Sequence, residues 1–324
     1  MKISRRWMVS IYLILMALSW ICMSHRKVPL PTGAEWREIS VPGNHGMLRY
    51  RKFPGSNPQL APIILVHGSP MASSCFDPLL DQLPRNRTIL VPDLPGFGAS
   101  SVGFTDFSFA GHAAALEELL DRENHKTAHW VAYSQGGGPV LELSGTRPDA
   151  FVSLTLLSSI GVQDYELTGD YFLNHVLHGA QWIALEGLRW GVPHFGLLDE
   201  VMLNTRYAKN FFAGDLRPLR GRLEKFGPPV LIIHGNADGL VMPASAKEHF
   251  RIAPQSTLTW LRGGHMVLMS QAKAVAAPLV EFIDEAESGT ATTRDTAENS
   301  RPRSRLRSFI TQRNGARLTT HPPP

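Results

Sequence analysis

The chain is poor in cysteine: Cys22 and Cys75 are the only two among 324 residues. That excludes a disulfide-built scaffold and a zinc site made from cysteines. No group of His, Asp and Glu shows metal-ligand spacing, so neither a metal nor a cofactor is implied. No internal repeat is visible. One glycine-containing loop, Asp93-Leu94-Pro95-Gly96-Phe97-Gly98-Ala99-Ser100, invites comparison with a phosphate-binding loop. It lacks a third glycine or a following Lys-Ser/Thr, and nucleotide binding does not follow from it. Charged residues are also scarce, at 19%, against 43% hydrophobic ones. Such a chain buries a sizeable core and is not globally disordered.

The formal charge of +4 is unevenly spread. Residues 1–27 hold five Lys/Arg and no acid, and residues 288–324 hold seven Arg and two acids. The body between them has 20 basic and 26 acidic residues. A mildly acidic body argues against a nucleic-acid-binding face. At the first end, Lys2, Arg5 and Arg6 precede an apolar run of 17 residues, Trp7 to Met23, closed by Arg26 and Lys27. The run is near the short limit for spanning a bilayer and has no convincing cleavage site. It reads as an N-terminal membrane anchor, the alternatives being a signal segment whose cleavage would leave a secreted or periplasmic protein and a buried helix. The three basic residues before the run place the body on the extracytoplasmic side. At the other end, 288–324 is rich in Ser, Thr and Arg and ends in three prolines. It is expected to be a disordered basic tail. Both ends should belong to neither sheet nor cap.

Between the ends, short apolar runs alternate with helical patterns. Ile63–Val66, Thr88–Val91, Ala128–Ala132, Val152–Leu157, Val230–Ile233 and Leu258–Leu261 read as strands buried on both faces, as a parallel sheet requires. Helices are expected near 108–123, 135–147, 243–252 and 270–286. This alternation gives an α/β fold with right-handed crossovers. Residues 35–41 and 46–53 read as an antiparallel hairpin leading in. The stretch from Gly161 to Phe226 breaks the rhythm, with no strand-like run and ten aromatic residues in 66. It reads as helices inserted between two strands.

Chemistry concentrates where strands end. In Ala132-Tyr133-Ser134-Gln135-Gly136-Gly137-Gly138 an apolar strand runs into a helix-compatible stretch. Small residues two positions either side of Ser134 let strand and helix approach, and the sharp turn presents the hydroxyl at a helix N-terminus. A serine needs a positioned base. His265, in Arg262-Gly263-Gly264-His265, follows the last strand. Asp238, in His234-Gly235-Asn236-Ala237-Asp238, follows the strand before it and could hold the imidazole tautomer. Both sit beyond carboxyl ends of strands, where open α/β sheets bind ligands. In Leu65-Val66-His67-Gly68-Ser69-Pro70, the Ser69 N–H can join that of Gln135 as an oxyanion donor. Other residues carry milder readings. His67 and His234 should make loop hydrogen bonds, Asp93 should pin its own loop, and Cys75 should be a small packed residue. Asp164 occupies an alternative acid position.

With these five motifs in this order, the chain resembles the α/β-hydrolase fold superfamily over about 35–285. The resemblance is nearest to the capped branch with His-Gly-x-Pro and Asp-x-x-Gly-x-Gly-x-Ser, which includes esterases, C–C hydrolases, epoxide hydrolases and haloalkane dehalogenases. It implies a hydrolase core over 28–160 and 227–287 and a helical cap over 161–226. It implies Ser134 as nucleophile, Asp238 as acid, His265 as base, and Ser69 and Gln135 as oxyanion donors. Ala132 replaces the family's first elbow glycine, a small change. Serine rather than aspartate as nucleophile disfavours the dehalogenase and epoxide hydrolase activities. The expected function is cleavage of a carboxylic ester in a small to medium, mainly apolar substrate through an acyl-enzyme. The same triad could act on an amide, thioester or C–C bond or form a peracid, and a non-catalytic hydrolase-fold protein is a further alternative. The expected partners are a small-molecule substrate and, through the N-terminal segment, a membrane. Oligomeric state is not legible.

Overall fold

The computed structural model describes residues 4–25, 35–44, 46–100, 103–199 and 203–290. Lys2, Arg26, Lys27 and the basic stretch from 291 onward lie outside the described residues. The leading helix, α1 (Arg5–His25), is followed by β1 (Glu35–Ser40), β2 (Met47–Phe53) and β3 (Ile63–Val66). Then come α2 (Asp77–Leu80), β4 (Ile89–Pro92), α3 (Phe109–Arg122), β5 (Ala128–Tyr133), α4 (Gly137–Thr146) and β6 (Phe151–Leu157). The insertion supplies α5 (Tyr171–Gly191), α6 (Thr205–Ala213) and α7 (Arg217–Glu224). The core resumes with β7 (Val230–Gly235), α8 (Pro243–Ile252), β8 (Ser256–Leu261), α9 (Val267–Ser270) and α10 (Ala272–Glu287).

The strands form one eight-stranded sheet in the order β1-β2-β4-β3-β5-β6-β7-β8. The β1–β2 and β2–β4 pairs are antiparallel, and β3 to β8 run parallel. The period-two geometry of strands sorts their side chains into two cores. Ile64, Val66, Trp130, Ala132, Val230 and Ile232 face one layer, with Leu116 of α3, Leu141 of α4, Leu219 of α7 and Ala246 of α8. Ile63, Leu65, Val131, Tyr133, Leu231 and Ile233 face the other, with Leu79 of α2, Leu268 of α9 and Leu279 of α10. Apolar residues at consecutive positions in these strands therefore report coverage on both faces.

Two expectations change. The run Leu258–Leu261 is not buried on both faces: β8 is the last strand of the sheet, and only Ser256 in it is buried. Between β3 and β4 lies a helix the sequence pattern did not show, the four-residue α2, too short for a 3.6-residue period to register.

In the insertion, α5 is capped by Asp170, whose carboxylate accepts from Leu173 N at 2.8 Å. Asn204 caps α6 in the same way, accepting from Tyr207 N at 2.9 Å. Helix α7 buries Leu219 and Leu223 in the sheet's own core, so the end of the insertion, from Leu216 to Phe226, packs as part of the α/β layer. The leading helix is not separate from the cap. Tyr12 donates its hydroxyl to Gly191 O at 2.6 Å, and Ser19 Oγ accepts from His194 N at 3.1 Å and Phe195 N at 2.8 Å.

Candidate active site

The C-terminal ends of β3, β5, β6, β7 and β8 bring the expected residues to one place. Ser134 lies directly after β5 with φ of +55°, a left-handed conformation that costs a non-glycine residue about 1–3 kcal/mol. Its surroundings fix that conformation. The Ser134 carbonyl accepts from Ile160 N at 3.1 Å and from the Ser159 hydroxyl at 3.2 Å, both in the loop after β6. Close approach needs glycine on two sides. A Cβ on Gly68 would stand 2.6 Å from Ser134 Cβ, and one on Gly136 would stand 2.6 Å from the carbonyls of Val66 and His67. The turn therefore lies against β3 and the loop that follows it.

His265 is buried between two partners. Its Nε2 is 2.8 Å from Ser134 Oγ, and its Nδ1 is 2.8 Å from Asp238 Oδ2. With Nδ1–H donating to the carboxylate, Nε2 presents a lone pair to the serine hydroxyl. The other Asp238 oxygen, Oδ1, accepts from Leu240 N and Val241 N, each at 2.9 Å. Burial alone would raise the Asp238 pKa. The hydrogen bond and charge of the His265 imidazole, with the two backbone N–H groups, outweigh that and hold the carboxyl below its ordinary value. The acid and base loops are tied together by Asn236 N donating to Leu261 O at 2.8 Å, and by Ala237 N donating to Gly263 O at 2.9 Å.

The two expected donor residues lie in segments that adjoin Ser134. The Gly68–Met71 turn, closed by Met71 N on Gly68 O at 3.0 Å, brings Gly68 against Ser134 and carries Ser69 as the next residue. Gln135 lies in the first turn of the helical stretch after β5, where backbone N–H groups lack intrahelical acceptors.

The remaining candidates sit elsewhere. Asp164 is exposed and pairs with Arg220 at 3.4 Å. It does not contact His265. Asp93 accepts from Ser73 N at 2.6 Å and Ala99 N at 2.7 Å, joining two loops. His67 donates from Nδ1 to Gly68 O at 2.8 Å and accepts from Leu94 N at 2.9 Å. Burial lowers its pKa. Cys75 is half-buried against the α2 side of the core.

Two supporting residues, Tyr133 and Asn210, escaped the sequence reading, while His234 makes the loop hydrogen bond expected of it. The Tyr133 ring stacks beneath His265 at 5.3 Å, and its hydroxyl donates to His265 O at 3.0 Å. His234 Nε2 donates to Val241 O at 2.9 Å and lies 3.4 Å from Asp238 Oδ2, behind the acid. Asn210, buried on α6, accepts from the Gln135 amide and donates to Phe107 O at 2.8 Å and His112 Nε2 at 2.6 Å. It locks the residue after Ser134 to the cap. Tyr133 adjoins the motif and could have been noticed as an aromatic on the nucleophile strand. Nothing in the pattern around Asn210 distinguishes it from any other polar residue on a helix.

A serine-bearing turn, a buried imidazole and a carboxylate at the strand ends of a mostly parallel sheet form a hydrolase-type architecture. The alpha/beta hydrolase family model matches residues 63–277, and the chain belongs to this family. The chain is similar to the uncharacterized hydrolase YugF of Bacillus subtilis, 25% identical over 70% of this chain and 91% of that one. It is similar to a pimeloyl-[acyl-carrier protein] methyl ester esterase of Xylella fastidiosa, 27% identical over 72% of this chain and 98% of that one. Among solved structures, an esterase from Rhodococcus sp. superposes with a TM-score of 0.61 at 20% identity, covering 78% of this chain and 99% of the other. The protein is an enzyme of the α/β-hydrolase class with esterase-like relatives.

Proposed function

We propose that this enzyme is a serine hydrolase that cleaves carboxylic esters of small to medium, mainly apolar substrates through an acyl-enzyme. The observation that carries the reading is the pair of 2.8 Å contacts that place His265 between Ser134 and Asp238. His265 Nε2 takes the Ser134 proton as Oγ attacks the ester carbonyl, and the imidazolium is stabilised by Asp238. The tetrahedral oxygen receives hydrogen bonds from the Ser69 and Gln135 N–H groups. Collapse expels the alcohol with the proton held on Nε2. Water then attacks the acyl-Ser134 carbonyl, deprotonated by the same nitrogen, and the acid product leaves. Ester-cleaving relatives support this bond type, as do the segments 132–138 and 69–72, which contain no Arg or Lys to bind an anion.

By the same reading α1 is a membrane anchor with the catalytic body outside the cytoplasm. It has 21 residues and an apolar surface, sufficient in length and composition to cross a bilayer. Hydrolysis of p-nitrophenyl butyrate, lost stoichiometrically on treatment with a fluorophosphonate, tests the activity. A folded chain that hydrolyses no short or medium ester rejects it.

A further inference from the structure

The outward face of α5 is made of residues that water does not favour. Phe172, Val176 and Ile183 are 71%, 65% and 74% exposed, with Leu173, Leu177 and Leu188 also exposed beside them. Alanine and glycine fill the positions between, and Gln181 is the single exposed polar side chain from Tyr171 to Gly191. The two charged residues of this helix are half-buried and paired. Glu186 accepts from Trp190 Nε1 at 2.9 Å, and Arg189 lies 3.9 Å from Asp199. A helix on the surface of a water-soluble domain shows the opposite pattern, polar outside and apolar inside. Contiguous apolar surface of this kind marks a contact with lipid or another protein.

Its neighbour says which. Helix α1 touches the cap along one stripe: Tyr12 on Gly191 O, Met16 buried, Ser19 on His194 N and Phe195 N, and Trp20 edge-on to Trp190 at 5.7 Å. These positions, spaced as one helix face, span about 12 Å of axis at 1.5 Å per residue. The cap therefore does not hang from a loose tether. It sits at the depth of α1 itself. The rest of the α1 circumference stays exposed and apolar, with Leu13, Ile14 and Ile21 at 58%, 60% and 57%. A second copy of the chain could cover this surface only if two such faces were self-complementary around a two-fold axis. A bilayer covers both helices at once, and Arg5 and Arg6 at the start of α1 suit anionic headgroups.

We propose that the outer face of α5 is immersed in the acyl region of the outer leaflet of a lipid bilayer, beside the middle of α1, so that the cap is the enzyme's membrane-facing surface. The proposal rests on the reading of α1 as a membrane helix. The test uses the full chain carrying Cys22→Ser and Cys75→Ser, with one environment-sensitive fluorophore attached through Ile183→Cys, Leu13→Cys or, as a control, Lys247→Cys on the exposed side of α8. Each is reconstituted in phosphatidylcholine–phosphatidylglycerol vesicles and quenched by nitroxide lipids or by aqueous iodide. The expected result is severalfold stronger quenching by lipid than by iodide at 183 and 13, and the reverse at 247. Lipid quenching at 13 with iodide quenching at 183 overturns the proposal and leaves the anchor intact. Iodide quenching at both overturns the anchor reading and the proposal with it. Shielding of 183 from both quenchers shows a protein–protein contact and overturns the proposal equally.

Discussion

The strand-end loops and the cap solve the same problem, holding polar groups in a partly dry place, in different ways. At the strand ends each reacting group is tied down. Asp238 uses both oxygens, His265 both ring nitrogens, and the strained Ser134 turn is held at its carbonyl from two sides. In the cap the packing is aromatic and looser. His175 stacks on Phe212 and His178 on Phe211, while His175 Nδ1 and His178 Nε2 have no hydrogen-bond partner. A carboxyl in the cap, Glu166, is pushed up to about 7 by burial alone. The contrast fits a division in which the strand ends fix geometry while the insertion packs through aromatic faces.

The largest effect expected at the strand ends is that of Ser134→Ala. It should lower ester turnover by about four to six orders of magnitude, as for a residue acting within a triad. Retained turnover in steady-state assays contradicts the nucleophile assignment. Asp238→Asn should cost about 10⁴ in kcat through the wrong imidazole tautomer. Asp164→Asn on the cap side should leave kcat nearly unchanged, and reversal of the two effects would move the acid to the loop after β6.

Stability against pH sharpens the comparison from a different side. Burial holds His112 and His249 at about 3, against 6.5 in an unfolded chain. Folded-state values depressed below the unfolded ones mean that the unfolded chain binds protons first as pH falls. Stability should therefore decline as pH drops below 6.5 toward 3, by about 1.4 kcal/mol per pH unit for each imidazole at most. The lowered Asp238 pKa adds a further loss below its ordinary value of 3.8. Urea midpoints at pH 8, 6 and 5 check this, and a flat profile contradicts it.

Tyr133→Phe removes one buried hydrogen bond to His265 O. It should lower stability by about 1 kcal/mol and turnover only modestly. An equilibrium unfolding curve read alongside kcat separates the two. The smallest steps belong to the cap. Across p-nitrophenyl esters, kcat/KM should rise about fourfold per methylene at roughly 0.8 kcal/mol each, and fall once the roofed pocket fills. A steady rise through long-chain substrates contradicts a closed wall.

What could be read from sequence follows the same division. Strands β3, β5 and β7 announced themselves because apolar residues at successive positions have one explanation, coverage on both faces. Ser134, Asp238 and His265 were locatable because sharp turns at strand ends need small residues nearby, and those residues are local in the chain. The short α2 and the exposure of β8 were not legible, since one lacks a full period and the other depends on its place in the sheet. The contacts of Asn210 with Gln135 and of Ser19 with the loop after α5 join distant segments and leave no local mark. The apolar outer face of α5 was present in the sequence, but its direction was not.

The central claim is that Ser134 forms a covalent acyl intermediate. Peptide mapping by mass spectrometry after reaction of the active full chain with a fluorophosphonate tests it most directly. The account predicts one adduct, on the peptide containing Ser134, appearing in step with the loss of ester hydrolysis. An adduct on a neighbouring serine such as Ser69 or Ser159, or full inhibition with Ser134 unmodified, would contradict it.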